Sequence, residues 1–217
     1  MSKSFIAVAS KSDKAIEIQK ALALNDIKNQ IRNSVAVKVV LLDDEKLLGQ
    51  VSQLVQTCLS AFRNGGKIIF AGNGGSFADA QHLSAEFTSR FLFNRASLAS
   101  LALGTNNSAI SAIGNDYGYE QVFARELSGI AKPEDVFIPI STSGNSPNIL
   151  AAVVLAKELG VATMAWTGAT GGQLKSMCDC ICIPSNDTAR IQECHIMIGH
   201  ILCGLVEKTY FQKEDSS

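Results

Sequence analysis

The chain has 217 residues, with 19 lysine and arginine side chains against 20 aspartate and glutamate side chains. This length suits one sizeable α/β domain, and the balanced, scattered charge offers no basic surface for nucleic acid or anionic lipid. The first residues lack the apolar core of a signal peptide, and no apolar run is long enough for a membrane helix. We therefore expect a soluble, cytoplasmic protein whose six cysteines are reduced.

Two amphipathic helices are predicted ahead of the sheet-forming part of the chain. Apolar residues recur at threes and fours from Asp13 to Ile31, and again from Leu47 to Leu59 after a junction at 41–44. A helical pair outside the sheet is a natural surface for subunit association, and packing back on its own chain is the alternative. We predict that residues 1–65 contribute to oligomer contacts and that residues 66–212 form the main domain.

From Gly66 onward, short apolar runs alternate with helical patterns. The predicted strands are 67–71, 100–103, 135–140, 162–166 and 179–183, and the predicted helices are about 76–92, 106–130, 145–159 and 188–211. This alternation is typical of a parallel sheet that is covered on both faces. The predicted fold is α/β, with a five-stranded parallel sheet sandwiched by helices in the flavodoxin-like manner and an N-terminal helical extension.

The turn after the first predicted strand is rich in glycine and reads Gly72-Asn-Gly-Gly-Ser76. Glycines allow close backbone approach and positive φ, and a helix N-terminus offers free N–H groups to an anion or a sugar hydroxyl. A dinucleotide-binding loop is excluded, because the third glycine of its G-x-G-x-x-G pattern would fall at Phe77.

The turn after the third predicted strand carries four hydroxyl groups in six residues, Ser141-Thr-Ser-Gly-Asn-Ser146. Hydroxyl and backbone donors at a helix N-terminus form a phosphate cradle without lysine, and a Walker loop is excluded by the missing Gly-Lys-Ser/Thr. The alternative is ordinary helix N-capping by Ser143 or Ser146, which needs only one hydroxyl. The excess of hydroxyls favours phosphate binding.

Two helices carry side chains suited to metal binding or proton transfer. His82, Glu86 and Arg90 are spaced four apart along one helix stripe, and Gln192 and His200 are eight apart on the last helix. If the two helices meet, two imidazoles, a carboxylate and an amide come together, a set able to hold a divalent metal or to transfer protons. Periodicity alone leaves solvated helix faces as the alternative.

Together, these segments resemble the phosphoheptose isomerase family, which belongs to the sugar isomerase (SIS) class of phosphosugar-binding domains. The resemblance runs in order from about residue 45 to residue 210, and the hydroxyl-rich turn alone would mark only the SIS fold. The segments that carry it are Ala71–Ser76, Asp79–His82 with Glu86 and Arg90, Ile113–Gly118, Ile140–Ser146, and Thr188–Glu193 with His195 and His200.

The resemblance implies conversion of D-sedoheptulose 7-phosphate to D-glycero-D-manno-heptose 7-phosphate, the first step of nucleotide-activated heptose biosynthesis, by a homotetramer with sites at its subunit interfaces. It implies Glu86 and His200 as the acid/base pair, in either order. It also implies one zinc ion per subunit on four side chains, His82, Glu86, Gln192 and His200. Substrate contacts are implied for Asn73, Gly74, Ser76, Glu86, Arg90, Asn115, Asp116, Ser141, Thr142, Ser143, Ser146 and Gln192.

Some positions depart from the family pattern. Phe77 and Ala189 stand where some relatives carry histidine and aspartate, so no proton-relay role transfers to them. His195 is expected to be a packing or interface residue, because it lies about 140° around the helix from His200.

Three other functions compete with the isomerase interpretation: another phosphosugar isomerase or lyase on the same fold, a non-catalytic SIS tetramer that binds the bacterial replication initiator, and a phosphosugar-sensing regulatory domain. A scaffold has no reason to keep both His82 and His200. A regulator would need a basic DNA-binding surface, which no helix of the chain carries.

Overall fold

The computed structural model describes residues 11–212, so the first ten residues of the predicted N-terminal unit lie outside the described residues. Short 3-10 turns lie at Tyr119–Gln121 and Gln173–Ser176. The helices are α1 (Lys11–Leu42), α2 (Glu45–Arg63), α3 (Gly75–Thr88), α4 (Asn107–Tyr117), α5 (Val122–Ile130), α6 (Pro147–Glu158) and α7 (Thr188–Phe211). The strands are β1 (Ile68–Gly72), β2 (Ser100–Ala102), β3 (Val136–Ile140), β4 (Ala162–Thr167) and β5 (Asp179–Cys182).

The predicted five-stranded parallel sheet is confirmed, with the strand order β2-β1-β3-β4-β5. Every residue of β1 and β3 is buried, because α2, α3 and α7 cover one face of the sheet while α5 and α6 cover the other. Gly72 at the end of β1 pairs with Ile140 at the end of β3. The glycine turn and the hydroxyl turn therefore start side by side at the carboxyl edge of the sheet, where open α/β sheets bind ligands.

The predicted helix 106–130 is wrong as a single element. It divides into α4, a 3-10 turn and α5, because Gly118 adopts a φ of 89°, which no α-helix contains. The Glu120 carboxylate also lies close to Gly118, since a Cβ on the glycine would be 2.7 Å from it. A side chain at this position would be strained by the positive φ.

The predicted helix 76–92 ends at Thr88, so Arg90 does not share the helix stripe of His82 and Glu86. The physical reason is a competition for hydrogen bonds. The N–H of Phe91, which would continue the helix by bonding the Phe87 carbonyl, donates instead to the Glu207 carboxylate at 2.9 Å.

The two N-terminal helices differ in their packing. α2 buries one face, including Leu54 and Leu59, in the core beneath the sheet of its own chain. α1 contacts α2 and α7, but its apolar residues from Leu22 to Val40 are mostly exposed. None of the helices in residues 11–212 combines the length and apolar character needed to cross a membrane.

Candidate active site

The two helices that carry the predicted acid/base residues meet in the structure. Gly199 on α7 faces Leu83 on α3 so closely that a Cβ on the glycine would lie 2.5 Å from the leucine side chain. This contact brings His82 Nε2 to 2.9 Å from His200 Nε2. Within α3, His82 Nε2 also lies 3.3 Å from Glu86 Oε1, one turn further along. The three side chains, hereafter the histidine cluster, present their ligand atoms within 4.8 Å of one another.

Gln192, the fourth predicted ligand, belongs to α7, and its side chain lies beside the start of α3. A Cβ on Gly75 would be 2.6 Å from the Gln192 amide nitrogen, so this side chain sits about two turns before His82 along α3. Helical side chains lean towards the N-terminus, so both clustered histidines lean towards the end where Gln192 lies. Whether Gln192 completes the ligand set stays a prediction.

Asp79 is a member of this region that the sequence reasoning missed. One of its carboxylate oxygens, Oδ2, is buried without a hydrogen-bond partner among the described residues. Burial raises the pKa of Asp79, and the nearby charges of His82 and His200 oppose that rise. The signal was present in the sequence, because Asp79 precedes His82 by three residues and so shares its helix face.

The hydroxyl turn brings three serine side chains together. Ser141 Oγ lies 3.0 Å from Ser146 Oγ and 3.5 Å from Ser143 Oγ. Ser146 occupies the N-cap position of α6 but makes no side-chain capping bond, and Ser143 accepts the N–H of Asn145 rather than one from the helix. The capping alternative therefore does not account for these hydroxyls, which converge beside the α6 N-terminus as a phosphate site requires.

Close backbone contacts hold this turn in place. Gly144 has a φ of 66°, and a Cβ there would lie 2.1 Å from the Gly171 carbonyl oxygen. The half-buried Thr142 accepts the N–H of Gly168 through its carbonyl at 2.9 Å. The turn that follows β3 is thus packed against the loop that follows β4.

The glycine turn is joined to the hydroxyl turn by a pair of amides. Asn73 and Asn148 each donate to the side-chain oxygen of the other at 2.9 Å, and Tyr119 donates to the Asn73 oxygen at 3.4 Å. Gly74 takes the N-cap position of α3 with a φ of 57°, while Ser76 is buried in the first turn. The small cavity beside this turn, of about 190 Å³, is lined by Gly72, Asn73, Gly74, Phe77, Gly104, Asn107, Ile110, Tyr119 and Phe123.

Besides Glu86 and Gln192, three predicted substrate contacts lie outside both turns. Asn115 and Asp116 are exposed near the end of α4, where the asparagine amide donates to the aspartate at 2.8 Å. Arg90 is exposed just after α3. Within residues 11–212, no hydrogen bond joins these side chains to the histidine cluster.

His195 is confirmed as a packing residue. It is fully buried, and its Nε2 lies 3.2 Å from the Thr167 carbonyl oxygen. Burial lowers the pKa of His195 to about 4, against the opposing effect of that hydrogen bond. The imidazole is therefore neutral in the folded protein near pH 7 and lies apart from the histidine cluster.

Comparison with known proteins defines first the class and then the family. The model of the SIS domain family matches residues 34–168, which is more than half of the chain. The phosphoheptose isomerase of Aneurinibacillus thermoaerophilus is 51% identical over 88% of this chain and 98% of its own length.

Two solved structures agree with this assignment. The phosphoheptose isomerase of Neisseria gonorrhoeae is 37% identical, with a TM-score of 0.80 over 86% of this chain and 99% of that one. The enzyme from Francisella tularensis is 32% identical, with a TM-score of 0.81 over 86% and 98% of the two chains. The chain belongs to the phosphoheptose isomerase family of SIS domain proteins.

Proposed function

We propose that this chain is the sugar-phosphate isomerase that converts D-sedoheptulose 7-phosphate to D-glycero-D-manno-heptose 7-phosphate, the first step of nucleotide-activated heptose biosynthesis. The observation that carries the proposal is the histidine cluster, in which His82, Glu86 and His200 converge from two helices. A non-catalytic scaffold has no need for two imidazoles and a carboxylate in contact on its surface.

The chemistry of the cluster matches an aldose-ketose shift. The reaction removes a proton from C1 of the ketose, passes through an enediolate, exchanges protons on the two sugar oxygens and returns a proton to C2. Glu86 and His200 supply the acid and base, and either can take the carbon-bound proton. His82, in contact with both, orients them for this transfer.

The phosphate group is held by the hydroxyl turn. Ser141, Ser143 and Ser146 present their hydroxyls beside the N-terminus of α6, where the helix dipole favours an anion. Gly144 lets the turn pack against the loop after β4, because no side chain intervenes there. Binding by neutral donors suits a substrate that must be released after each turnover.

A zinc ion on His82, Glu86, His200 and Gln192 is part of the proposal. Ligands around tetrahedral zinc, at bonds of about 2.0–2.1 Å, lie about 3.3 Å apart. The separations of 2.9 Å and 3.3 Å about His82 Nε2 are close to that value, and the mixed nitrogen and oxygen set is one that zinc accepts. When bound, zinc supplies a Lewis acid that stabilises the enediolate oxygens.

We further propose a cytoplasmic homotetramer with active sites at its subunit interfaces. Ile27, Ile31, Val35 and Val39 form a stripe along α1, each more than half exposed. An apolar groove of about 660 Å³ lies between α1, α2 and α7. The second copy of this chain is the occupant that buries both surfaces, and the six free thiols suit a reducing compartment.

Light scattering tests the assembly. Ile31→Glu combined with Val35→Glu is expected to lower the mass below that of a tetramer, because it places charge on the α1 stripe. Val154→Glu, an equally exposed apolar position on α6, is the matched control and is expected to leave the mass unchanged. A tetrameric mass in the double variant would exclude the α1 stripe as an interface.

The function is tested by turnover of sedoheptulose 7-phosphate before chelation, after chelation and with zinc restored. Activity that is lost to the chelator and recovered with zinc supports both the isomerase and the metal site. Activity that survives complete metal removal supports the isomerase and overturns the zinc proposal. No activity under any condition overturns the isomerase and favours the scaffold.

A further inference from the structure

A buried ion pair lies behind the histidine cluster. Arg95, in the loop after α3, donates from Nε to Glu207 Oε1 on α7 at 2.8 Å, and the two side chains are 2% and 0% exposed. The carboxylate also accepts the N–H groups of Phe91 at 2.9 Å and Leu92 at 2.7 Å. Burial raises the pKa of Glu207, but these donors outweigh it and hold that pKa below its usual value.

The guanidinium of Arg95 forms hydrogen bonds to the end of α3. It donates to the backbone carbonyls of Glu86 at 2.8 Å, Phe87 at 2.6 Å and Ser89 at 3.1 Å. Glu86 and Phe87 lie in the last turn of α3, whose carbonyls have no partner within the helix. Because Glu86 is one of the acid/base residues, the guanidinium fixes the backbone from which its carboxylate projects.

The same pair fixes a ring against the second acid/base residue. The Phe91 ring stacks on the His200 imidazole, with centroids 5.5 Å apart and planes 11° from parallel. His200 and Glu207 are seven residues apart and share one face of α7. Phe91 therefore contacts both: its N–H donates to the Glu207 carboxylate, and its ring stacks on the His200 imidazole.

We propose that Arg95 and Glu207 are positioning residues of the isomerase site, which hold Glu86 through its backbone and His200 through the stacked ring of Phe91. The inference rests on the proposed function, because it assigns both side chains to the same chemistry. A buried ion pair contributes little net stability compared with well-packed apolar residues. Its effect here is to fix geometry, and proton transfer is sensitive to displacements well below 1 Å.

Conservative changes on each side test the pair. Arg95→Lys keeps the charge but loses the planar fork that reaches Glu207 and four backbone carbonyls at once. Glu207→Gln keeps the size but loses the charge and one acceptor oxygen. Each variant is expected to lower kcat for sedoheptulose 7-phosphate about 10- to 100-fold, while KM changes less than about threefold.

The chain offers a matched control for a purely structural effect. Asp135 is 1% exposed and, like Glu207, accepts two backbone N–H groups, from Lys67 and Lys132, together with a cation, the Lys67 ammonium at 2.6 Å. It lies just before β3, and within residues 11–212 it makes no hydrogen bond to Arg95, Glu207 or the histidine cluster. Asp135→Asn is expected to destabilise the protein without changing kcat per folded molecule.

A spectroscopic readout separates this inference from the isomerase proposal. The chain has three histidines, so ring-labelled protein gives three sets of imidazole resonances. Arg95→Lys and Glu207→Gln are expected to shift the His200 resonances as the ring current of Phe91 moves, while the buried His195 serves as the unchanged internal reference. Asp135→Asn is expected to shift neither.

Phe91→Leu extends the test if Glu207→Gln does not fold, because it removes the ring and keeps the backbone bonds. A shift of the His200 resonances in a protein without isomerase activity would support the positioning and overturn only the function. Wild-type resonances and kcat in the folded variants would overturn the inference. So would an equal loss of kcat in Asp135→Asn at matched folded fraction.

Discussion

The two halves of the proposed site are built in different ways. The hydroxyl turn consists of six consecutive residues, and backbone bonds such as Gly144 N to the Ser141 carbonyl determine its shape. The histidine cluster joins side chains 118 residues apart in the sequence, and only the packing of α3 on α7 brings them together. We therefore expect changes in the turn to act mainly on substrate binding, and changes in the cluster to act mainly on the rate of the chemical step.

The largest effect is expected from removing the acid/base groups. Glu86→Gln and His200→Asn each keep the size of the side chain but lose its proton-transfer chemistry, so kcat is expected to fall by about a thousandfold or more. Both positions are partly exposed, and the fold is expected to persist. Steady-state kinetics with thermal unfolding and mass measurements check both statements.

Glu158→Gln, on the exposed face of α6, is the matched control for a lost surface carboxylate and is expected to keep full activity. Turnover near the wild-type rate in both Glu86→Gln and His200→Asn would remove the acid/base assignment. Loss of the fold in either variant would move that residue from the chemical role to a structural one.

The binding half of the site could be predicted from the sequence because its signals are local. A buried strand, four hydroxyls and Pro147 at the first helical position together indicate a strand, a ligand-binding turn and a helix. The bounds of α7 were predicted for the same reason, since the Asp187 side chain caps its N-terminus by accepting the N–H of Ala189.

For the chemical half, the family resemblance implied the residues, but periodicity alone could not predict that they meet, because it does not say which helix faces which. That pairing depends on Gly199 fitting against Leu83, a contact between helices far apart in the sequence. The end of α3 depends on Arg95 and Glu207, which are 112 residues apart. Hence Arg90 was wrongly placed on the helix stripe, and nothing in the sequence pointed to Phe91.

A second prediction separates two histidines on the same helix. His195→Gln keeps a donor for the Thr167 carbonyl and lies outside the cluster, so kcat is expected to stay within about threefold of the wild type. In the wild type, the free energy of unfolding is expected to fall as the pH drops from 6.5 to about 4, because unfolded His195 then binds a proton that folded His195 cannot. The loss attributable to His195 across this window is about 3 kcal/mol.

Urea unfolding at a series of pH values measures this contribution as the difference between the wild type and His195→Gln. The difference is expected to shrink as the pH falls through the window and to level off below about pH 4. An identical pH dependence in the two proteins would show that His195 does not titrate in this way. A large loss of kcat would instead connect His195 with the chemical half.

The smallest effect is expected from one hydroxyl of the turn. Ser143→Ala removes one donor to the phosphate, and because that contact is the same in the ground state and the transition state, KM is expected to rise about tenfold, or ~1.4 kcal/mol, with kcat unchanged. Ser176→Ala, which removes an exposed hydroxyl that donates to the Gln173 carbonyl, is the control and is expected to change neither constant. Initial rates over a range of substrate concentrations separate the two constants. A lower kcat at unchanged KM would place Ser143 with the histidine cluster and remove the distinction between a binding half and a chemical half.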